Sequence, residues 1–381
     1  MSAPVRLELS AMGAVRPPAE AALAAAQRRE QQGFDAIWWA DHLLHWFPLS
    51  IWTPDLVPQA GGQRSPHVWF DPVPVVAAAA GVTRDIRLGI GVTDLVRRHP
   101  VALAQTALTL DHLTGGRFIL GVGAGEALNL TPFGMTNVRP LSRLDEGLAL
   151  MRLLMDTTDP IDFQGDHFRV DGGCLGLAPV GERPPPIWVG AHRRKGLALT
   201  GRRADGWLPL ATDPAEYARM LATVRAASAA AGRPASAVTP GLYARIVVAE
   251  TREAAEAAID GSLLMRFIAL TRSAEAFAAH GAEHPLGAGE FGLTSFLPTS
   301  YGRAEALRLA EAVPAAVVRD TVIHGTPDDI AAAVARFVAE GARHVQLTNM
   351  TPMADPRLAA TSEALLADAV VALRTGSATV A

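Results

Sequence analysis

The chain has 381 residues, of which 49% are apolar, and a formal net charge of −4. It can therefore bury a large core, and it lacks the strongly basic surface typical of nucleic-acid binding. Its single cysteine, Cys174, excludes a disulfide framework and is typical of a reducing cytosol. The first residues do not follow a signal-peptide pattern, and no apolar run is long enough to cross a bilayer. We therefore expect a cytoplasmic protein that acts on a small molecule, with no membrane span and no nucleic-acid partner.

Runs typical of β-strands alternate with amphipathic helical runs almost from end to end. The predicted strands cover residues 5–9, 34–39, 86–92, 117–122, 187–190, 206–210, 242–248 and 345–348. The predicted helices cover residues 18–32, 100–113, 141–155, 213–232, 251–271, 326–340 and 356–374. Eight strands with intervening helices predict an α/β fold, a (β/α)8 TIM barrel. We predict that residues 1–381 form one such domain.

Two stretches interrupt the repeat, at about 47–74 and 272–316. Long insertions in a barrel usually form lids and substrate walls at the catalytic face. Loose surface loops are the alternative, which we favour less because Trp52 and Trp69 would be costly to leave in water. A shorter feature, residues 161–170, predicts a hairpin that turns at Gly165-Asp166.

Residues that follow the strands of a barrel converge on one mouth. His42 follows the second predicted strand, and its imidazole can hold or release a proton near neutral pH. The alternative is a structural histidine tied to Asp41 or to a backbone carbonyl. Glu126 follows the fourth predicted strand among glycines, where it can transfer a proton or hydrogen-bond a cofactor ring. The alternative, which is compatible with that role, is a helix-start acid favoured by the helix dipole.

Three other patterns near the mouth could indicate a binding site, and only one of them is predicted to form one. Residues 121–126 read G-x-G-x-G-E, which lacks the third glycine of the dinucleotide fingerprint, so a Rossmann NAD site is not predicted. Residues 192–195 open a helix with basic side chains, which favours a phosphate site over a solvated basic turn. His42 and His45 lie three apart, but no further ligand pattern completes a site, so no metal is predicted.

Together these segments resemble the luciferase-like superfamily of flavin and deazaflavin oxidoreductases over essentially the whole chain. The matching pieces, specific in their order and spacing, are residues 41–42, 88–92, 117–123, 125–129, 163–170 and 187–189. Within that superfamily the chain resembles the coenzyme F420-dependent branch, which implies F420 as the cofactor and a homodimer as the assembly.

The resemblance also implies site residues. His42, Trp46 and Glu126 are implied to face the reactive ring as catalytic residues, and a non-proline cis peptide bond is implied at Gly91–Val92. The implied cofactor contacts are Asp41, His42, Gly91, Val92, Asp94, Gly125, Glu126, Asn129, Gly190, Ala191, His192 and Arg193. These imply that reduced deazaflavin gives hydride to a carbonyl carbon, with His42 or Glu126 supplying the proton; the choice of donor is open.

The branch has members with different substrates. Where its sugar-phosphate dehydrogenases place cationic and hydroxyl groups for a phosphate, this chain has Leu210, Asp213 and Asp320, and an acid cannot replace a cation there. The chain is more similar to the phthiodiolone dimycocerosate ketoreductases at residues 92–94, 97–98 and 280–285, in order along the chain. A ketone with a sizeable apolar part is therefore the implied substrate, and glucose 6-phosphate is not.

Two other functions fit the same fold. An FMN-dependent monooxygenase of the superfamily would share most of the barrel and would bind FMN in place of F420. A flavin-binding barrel without chemistry is the third hypothesis, and the presence of both His42 and Glu126 at strand ends argues against it.

Overall fold

The computed structural model describes residues 6–377. Its strands are β1 (Glu8–Met12), β2 (Ala36–Trp39), β3 (Arg87–Asp94), β4 (Phe118–Gly123), β5 (Ile161–Gln164), β6 (Arg169–Gly173), β7 (Ile187–Val189), β8 (Gly206–Trp207), β9 (Thr239–Val248), β10 (Ile323–Gly325) and β11 (His344–Asn349). Its helices are α1 (Ala19–Gln31), α2 (Pro72–Ala80), α3 (Pro100–Thr114), α4 (Ala127–Leu130), α5 (Pro140–Asp156), α6 (Arg194–Arg203), α7 (Pro214–Ala230), α8 (Arg252–Asp260), α9 (Leu263–Ala269), α10 (Ala274–Ala278), α11 (Gly292–Ser295), α12 (Arg303–Glu311), α13 (Ala315–Arg319), α14 (Pro327–Ala339), α15 (Thr351–Ala354) and α16 (Ala359–Ser377). Within residues 6–377, none of these helices combines the length and apolarity needed to cross a bilayer.

Eight parallel strands close into a barrel. Their order is β9, β11, β1, β2, β3, β4, β7 and β8, and β8 pairs with β9 to complete the circle. The predicted (β/α)8 fold is therefore confirmed. Both faces of the strands are buried, one against the surrounding helices and one in the barrel interior, as in other closed parallel sheets. The predicted hairpin is also present as the antiparallel pair β5–β6, with Gly165 N donating to Phe168 O over 3.0 Å.

Several predicted boundaries are wrong. The first strand begins at Glu8 rather than at residue 5, and Val5 lies outside the described residues. The strand predicted over 206–210 ends at Trp207, after which Leu210 makes only an isolated bridge. The helix predicted over 251–271 is two helices, because the Ser262 side chain accepts a hydrogen bond from Met265 N and starts α9 anew. The three-residue strand β10, which pairs in parallel with the end of β9, was not predicted because it is too short to show a period.

The barrel interior is filled by two indoles. The rings of Trp38 and Trp188 lie 5.4 Å apart, and both side chains are almost completely buried. A Cβ atom at Gly89 would overlap Trp38, and one at Gly206 would overlap Trp188. Glycine at these two strand positions therefore makes room for the large side chains that seal the lower part of the barrel.

The amino ends of the strands are held by a buried histidine. His344 Nε2 lies 2.8 Å from Ser10 Oγ and 3.2 Å from Trp38 Nε1, an obligate donor, while its Nδ1 lies 3.0 Å from Glu8 Oε2. The indole N–H must donate to Nε2, so Nδ1 carries the proton and donates to Glu8. Both ring nitrogens of His344 therefore have hydrogen-bond partners within the fold.

The two insertions pack against each other in a second apolar core. Phe47 and Trp52 from the first lie in the same buried cluster as Phe277 and Phe296 from the second. Ser50 Oγ also donates to the backbone carbonyl of Tyr301 over 2.9 Å. Burial of these aromatic side chains gives both insertions a fixed structure above the carboxyl ends of the strands.

Candidate active site

His42 lies three residues beyond the end of β2 and is enclosed by aromatic rings. The Trp69 ring stacks on the imidazole with centroids 4.9 Å apart, and the Trp46 ring contacts it at 5.0 Å. Asn129 Nδ2 lies 3.0 Å from His42 Nδ1, and Asn129 Oδ1 accepts hydrogen bonds from the backbone N–H groups of residues 43 and 44. The amide is thereby oriented with Nδ2 donating to Nδ1, so neutral His42 carries its proton on Nε2.

Glu126 lies directly before α4, and Gly125 in front of it has φ +88°. That backbone conformation strongly favours glycine and turns the chain so that the carboxyl points at His42. Glu126 Oε2 lies 3.7 Å from His42 Nδ1 and 3.3 Å from Asn129 Nδ2. The α4 helix has a single turn and the Glu126 side chain makes no cap hydrogen bond, so the helix-start interpretation receives little support.

The two titratable groups of this contact are both held in their neutral forms. Burial raises the pKa of Glu126 to about 8, with Asp94 acting in the same direction and Arg97 against it. Burial lowers the pKa of His42 to about 4, with Arg97 adding to the effect and Asp41 opposing it. Near neutral pH the site therefore holds a protonated carboxyl beside a neutral imidazole, because each charged form loses its hydration.

Asp41 is held in a buried ion-pair network. Its carboxylate accepts hydrogen bonds from Thr93 Oγ1 at 2.6 Å, Arg98 Nε at 3.0 Å and Arg97 NH1 at 3.1 Å. Arg97 also binds the second predicted carboxylate, Asp94, over 2.5 Å. Burial acts to raise the pKa of Asp41, but the two arginines hold it below its usual range. The network fixes the backbone on which His42 stands, and direct contact of either aspartate with a cofactor stays a prediction.

The peptide bond between Gly91 and Val92 is cis, as the resemblance implied. The Val92 side chain is surrounded by glycines of neighbouring strands. A Cβ atom at Gly123 would lie 2.9 Å from Val92 Cγ2, and one at Gly190 would lie 3.6 Å from Val92 Cγ1. Because these neighbours are glycines, no other side chain of residues 6–377 covers Val92 on this side, and we call this surface the Val92 platform.

A cavity of about 540 Å³ opens beside this platform, between the ends of β4 and β7 and the start of α6. Its walls include the predicted residues Gly125, Gly190, Ala191, His192 and Arg193, together with Asn137 and Phe291. His192 Nε2 accepts from Leu210 N over 2.9 Å, and burial lowers the pKa of His192 to about 4, so this ring is neutral. Arg193 and Gly196, at the start of α6, also line the cavity, and the free amide groups of a helix start suit an anion.

Four buried polar atoms near the mouth have no hydrogen-bond partner among the described residues: Trp46 Nε1, Trp69 Nε1, His45 Nδ1 and Asn137 Oδ1. Trp46 Nε1 is a donor without an acceptor, and Asn137 Oδ1 is an acceptor without a donor, although Asn137 Nδ2 donates to Ala124 O over 2.7 Å. An unpartnered buried polar atom is costly, so a ligand that supplied a partner would gain a hydrogen bond there. The Trp46 ring contacts the His42 ring, and Asn137 lies on the cavity wall.

Other predicted features take structural roles. His45 stacks on Phe47 with centroids 3.9 Å apart, and residues 6–377 contain no cluster of three or more potential metal-ligating side chains. Asp213 caps the start of α7, and Asp320 pairs with His280 over 2.7 Å. These two acids therefore have partners within the fold.

Sequence reasoning missed four residues of this region as site residues: Arg97, Asn137, Arg245 and Phe291. Arg97 was considered only as part of residues 97–98, where the chain is similar to the ketoreductases. Arg245 carried a usable signal, because a charged residue at an alternating position of a buried strand needs an explanation. Asn137 and Phe291 lie in loops whose path no periodicity predicts.

The chain is similar to known proteins both in sequence and in fold. The sequence pattern of the family described as luciferase-like monooxygenase matches residues 2–344. The chain is 35% identical over 363 residues to the phthiodiolone/phenolphthiodiolone dimycocerosates ketoreductase of Mycobacterium tuberculosis (strain ATCC 25618 / H37Rv), with 93% of each chain covered. It is 34% identical over 241 residues to the F420-dependent hydroxymycolic acid dehydrogenase of the same organism, over 62% of this chain and 61% of that protein. A solved F420-dependent secondary alcohol dehydrogenase in complex with an F420-acetone adduct superposes with a TM-score of 0.75 at 20% identity, over 97% of this chain and 99% of that one, which is a likeness of fold.

Proposed function

The chain belongs to the luciferase-like monooxygenase family, and from that premise we propose that it is an oxidoreductase that uses coenzyme F420 to reduce a carbonyl group or oxidise the corresponding alcohol. Its similarity to a ketoreductase over 93% of the chain and to an F420-dependent dehydrogenase supports this proposal. One observation carries it within the structure. A protonated carboxyl at Glu126, a neutral imidazole at His42 and an unpartnered indole N–H at Trp46 lie next to one another at the barrel mouth.

The residues present fit a phosphorylated deazaflavin. The glycines beside Val92 keep other side chains away from it, which suits a flat ring, and Asn137 Oδ1 could accept from a hydroxyl of the cofactor side chain. The start of α6, with Arg193, would hold the phosphate. When bound, coenzyme F420 supplies hydride transfer, which is chemistry of the cofactor rather than of the protein.

The side chains of the mouth would orient the substrate and move one proton. The Trp46 N–H would donate a hydrogen bond to the substrate oxygen. We assign the proton itself to Glu126, because Glu126 is protonated near neutral pH whereas the His42 pKa is lowered to about 4. His42, held through Nδ1 by Asn129, would offer its Nε2–H as a second donor. General acid catalysis of this kind contributes about 10²–10⁴ in rate.

Titration of the purified protein with oxidised F420 and, separately, with FMN tests the cofactor. We expect tight binding of F420, weak binding of FMN, and no oxygen uptake with the reduced cofactor. A screen of apolar ketones with reduced F420 should then yield a substrate. Tight FMN binding with oxygen uptake would instead identify the monooxygenase hypothesis.

Two variants separate binding from chemistry. Glu126→Gln should bind F420 as the wild type does and lose about 10²–10⁴ in kcat, because the amide cannot supply the proton. Glu182→Gln, at an exposed position, is the matched control and should keep both. Wild-type turnover in Glu126→Gln would remove Glu126 from the proposed chemistry.

The proposal also covers the domain organisation, the assembly, the cellular location and the kind of substrate. We infer a single catalytic domain with two insertions, assembled as a homodimer in the cytoplasm, and a substrate with a sizeable apolar part. Similarity to the phthiodiolone/phenolphthiodiolone dimycocerosates ketoreductase supports the apolar substrate, and the lone cysteine supports the cytoplasmic location. Light scattering of the purified protein would decide between monomer and dimer.

A further inference from the structure

Arg245 is a buried arginine inside the barrel mouth. It lies on β9, where its neighbours Ala244 and Ile246 pack outwards in the main core, so its own side chain points inwards. It is only 4% exposed, and the parallel register places it beside Thr348 of β11. Its guanidinium carbon lies 5.8 Å from the centre of the Trp46 ring. The cation is thus part of the same space as the predicted catalytic residues.

The charge of Arg245 has no ion-pair partner. Among residues 6–377, its NH1 donates to Thr271 Oγ1 over 2.9 Å, and no carboxylate forms a salt bridge with it. Burial therefore lowers the pKa of Arg245, although Tyr243 and Glu126 act against that effect. Arg97, at the same mouth, is bound by two aspartates. A buried cation without a counter-charge is expensive and is rarely retained unless a ligand neutralises it.

The hydrogen-bond partners of Arg245 are the side chains of Tyr243 and Thr271, which are hydroxyls rather than carboxylates and bring no counter-charge. Trp46 Nε1 is buried and unpartnered, and the Thr271 hydroxyl already donates to Ile268 O over 2.6 Å. The charge of Arg245 also acts on His192 and Glu126, which line the two sides of the mouth. The missing partner must therefore bring oxygen acceptors and negative charge, and must lie close to the reacting group.

We propose that Arg245 is a specificity-determining residue that binds a carboxylate carried by the substrate, a few bonds away from the carbonyl group that reacts. The substrate class is then an oxo acid with an apolar chain rather than a neutral ketone. The carbonyl part of this inference rests on the proposed function, whereas the carboxylate part rests on Arg245 alone. Arginine suits this role because its planar fork matches a carboxylate with two parallel hydrogen bonds.

The test measures binding of two unreactive probes, octanoate and its neutral analogue octanamide, by isothermal titration calorimetry without cofactor. Wild-type protein should bind octanoate more tightly, on the order of 30-fold, because hydrogen bonds to a charged group are the stronger kind. The preference should fall to about onefold in both Arg245→Met and Arg245→Gln. Arg245→Lys should keep part of it, since it keeps the charge without the fork. Arg308→Met, at an exposed position of α12, is the matched control and should behave as wild type.

Thermal unfolding supplies a readout that a merely structural arginine would not give. Arg245→Met should raise Tm, because it removes a buried charge that lacks a counter-charge, and octanoate should raise Tm in the wild type but not in Arg245→Met. Absence of an octanoate preference in the wild type, or its persistence in both neutral variants, would overturn the proposal. Coenzyme F420 is titrated separately with each protein, so loss of cofactor binding is distinguished from loss of carboxylate binding.

Discussion

Replacing Glu126 by glutamine should change how the stability of the protein depends on pH. Burial raises the pKa of this carboxyl from 4.5 to about 8. Its contribution to stability is therefore fully present below the unfolded pKa and is lost as pH rises through the folded pKa. Each pH unit between the two values costs about 1.4 kcal/mol, which gives about 3 kcal/mol between pH 6 and pH 9. Because 24% of the side chain is exposed, water reduces this penalty, and we expect about 2 kcal/mol.

Glutamine has a similar shape and does not ionise, so the variant escapes this loss. The Tm of Glu126→Gln minus that of the wild type should rise by roughly 2–4 °C between pH 6 and pH 9, since a chain of this length shifts by about 1–2 °C per kcal/mol. Differential scanning fluorimetry at one scan rate, in the absence of cofactor, measures it directly. Glu182→Gln, at an exposed position, should show a constant difference. A constant difference for Glu126→Gln as well would refute the raised pKa.

Three further outcomes follow from the same structure. With a substrate from the ketone screen, kcat/KM for reduction should fall about tenfold between pH 7 and pH 9, because the Glu126 carboxyl, with its pKa of about 8, loses its proton; a flat profile would assign the proton to another group. Asp41→Asn leaves two buried arginines short of a counter-charge and should lower the free energy of unfolding by about 3 kcal/mol in urea titrations. Gly292→Ala should reduce the soluble yield and Tm, because its Cβ atom would overlap the backbone carbonyl of Leu270, whereas Gly176→Ala, with open space around it, should behave as wild type.

Local patterns predicted most of the architecture. Alternating strand and helix runs predicted the closed barrel, and the Gly165-Asp166 turn predicted the hairpin, because these features depend on side chains close together in the chain. Boundaries were less predictable where a tertiary contact sets them. The break at Ser262 depends on one capping hydrogen bond, and β10 exists only because β9 offers it an edge.

The candidate site was predictable only in part. His42, Glu126 and the turn at 190–193 were proposed because they follow strands, and the barrel does bring them to one mouth. Their roles towards a cofactor stay predictions. No pattern indicated that Arg97 would bind Asp41 and Asp94, because that contact joins the ends of two different strands.

The amino-acid sequence by itself determined the fold class, the order of the elements and the residue types available at the mouth, since hydrophobic periodicity and turn chemistry act over short distances along the chain. The tertiary structure alone decided which of those residues are buried, paired or left without a partner. Glu126 holds its proton and Arg245 lacks a counter-charge because segments more than a hundred residues apart remove water from one small volume. Charge in that volume is governed by the neighbours that folding assembles, and those neighbours cannot be read from local pattern.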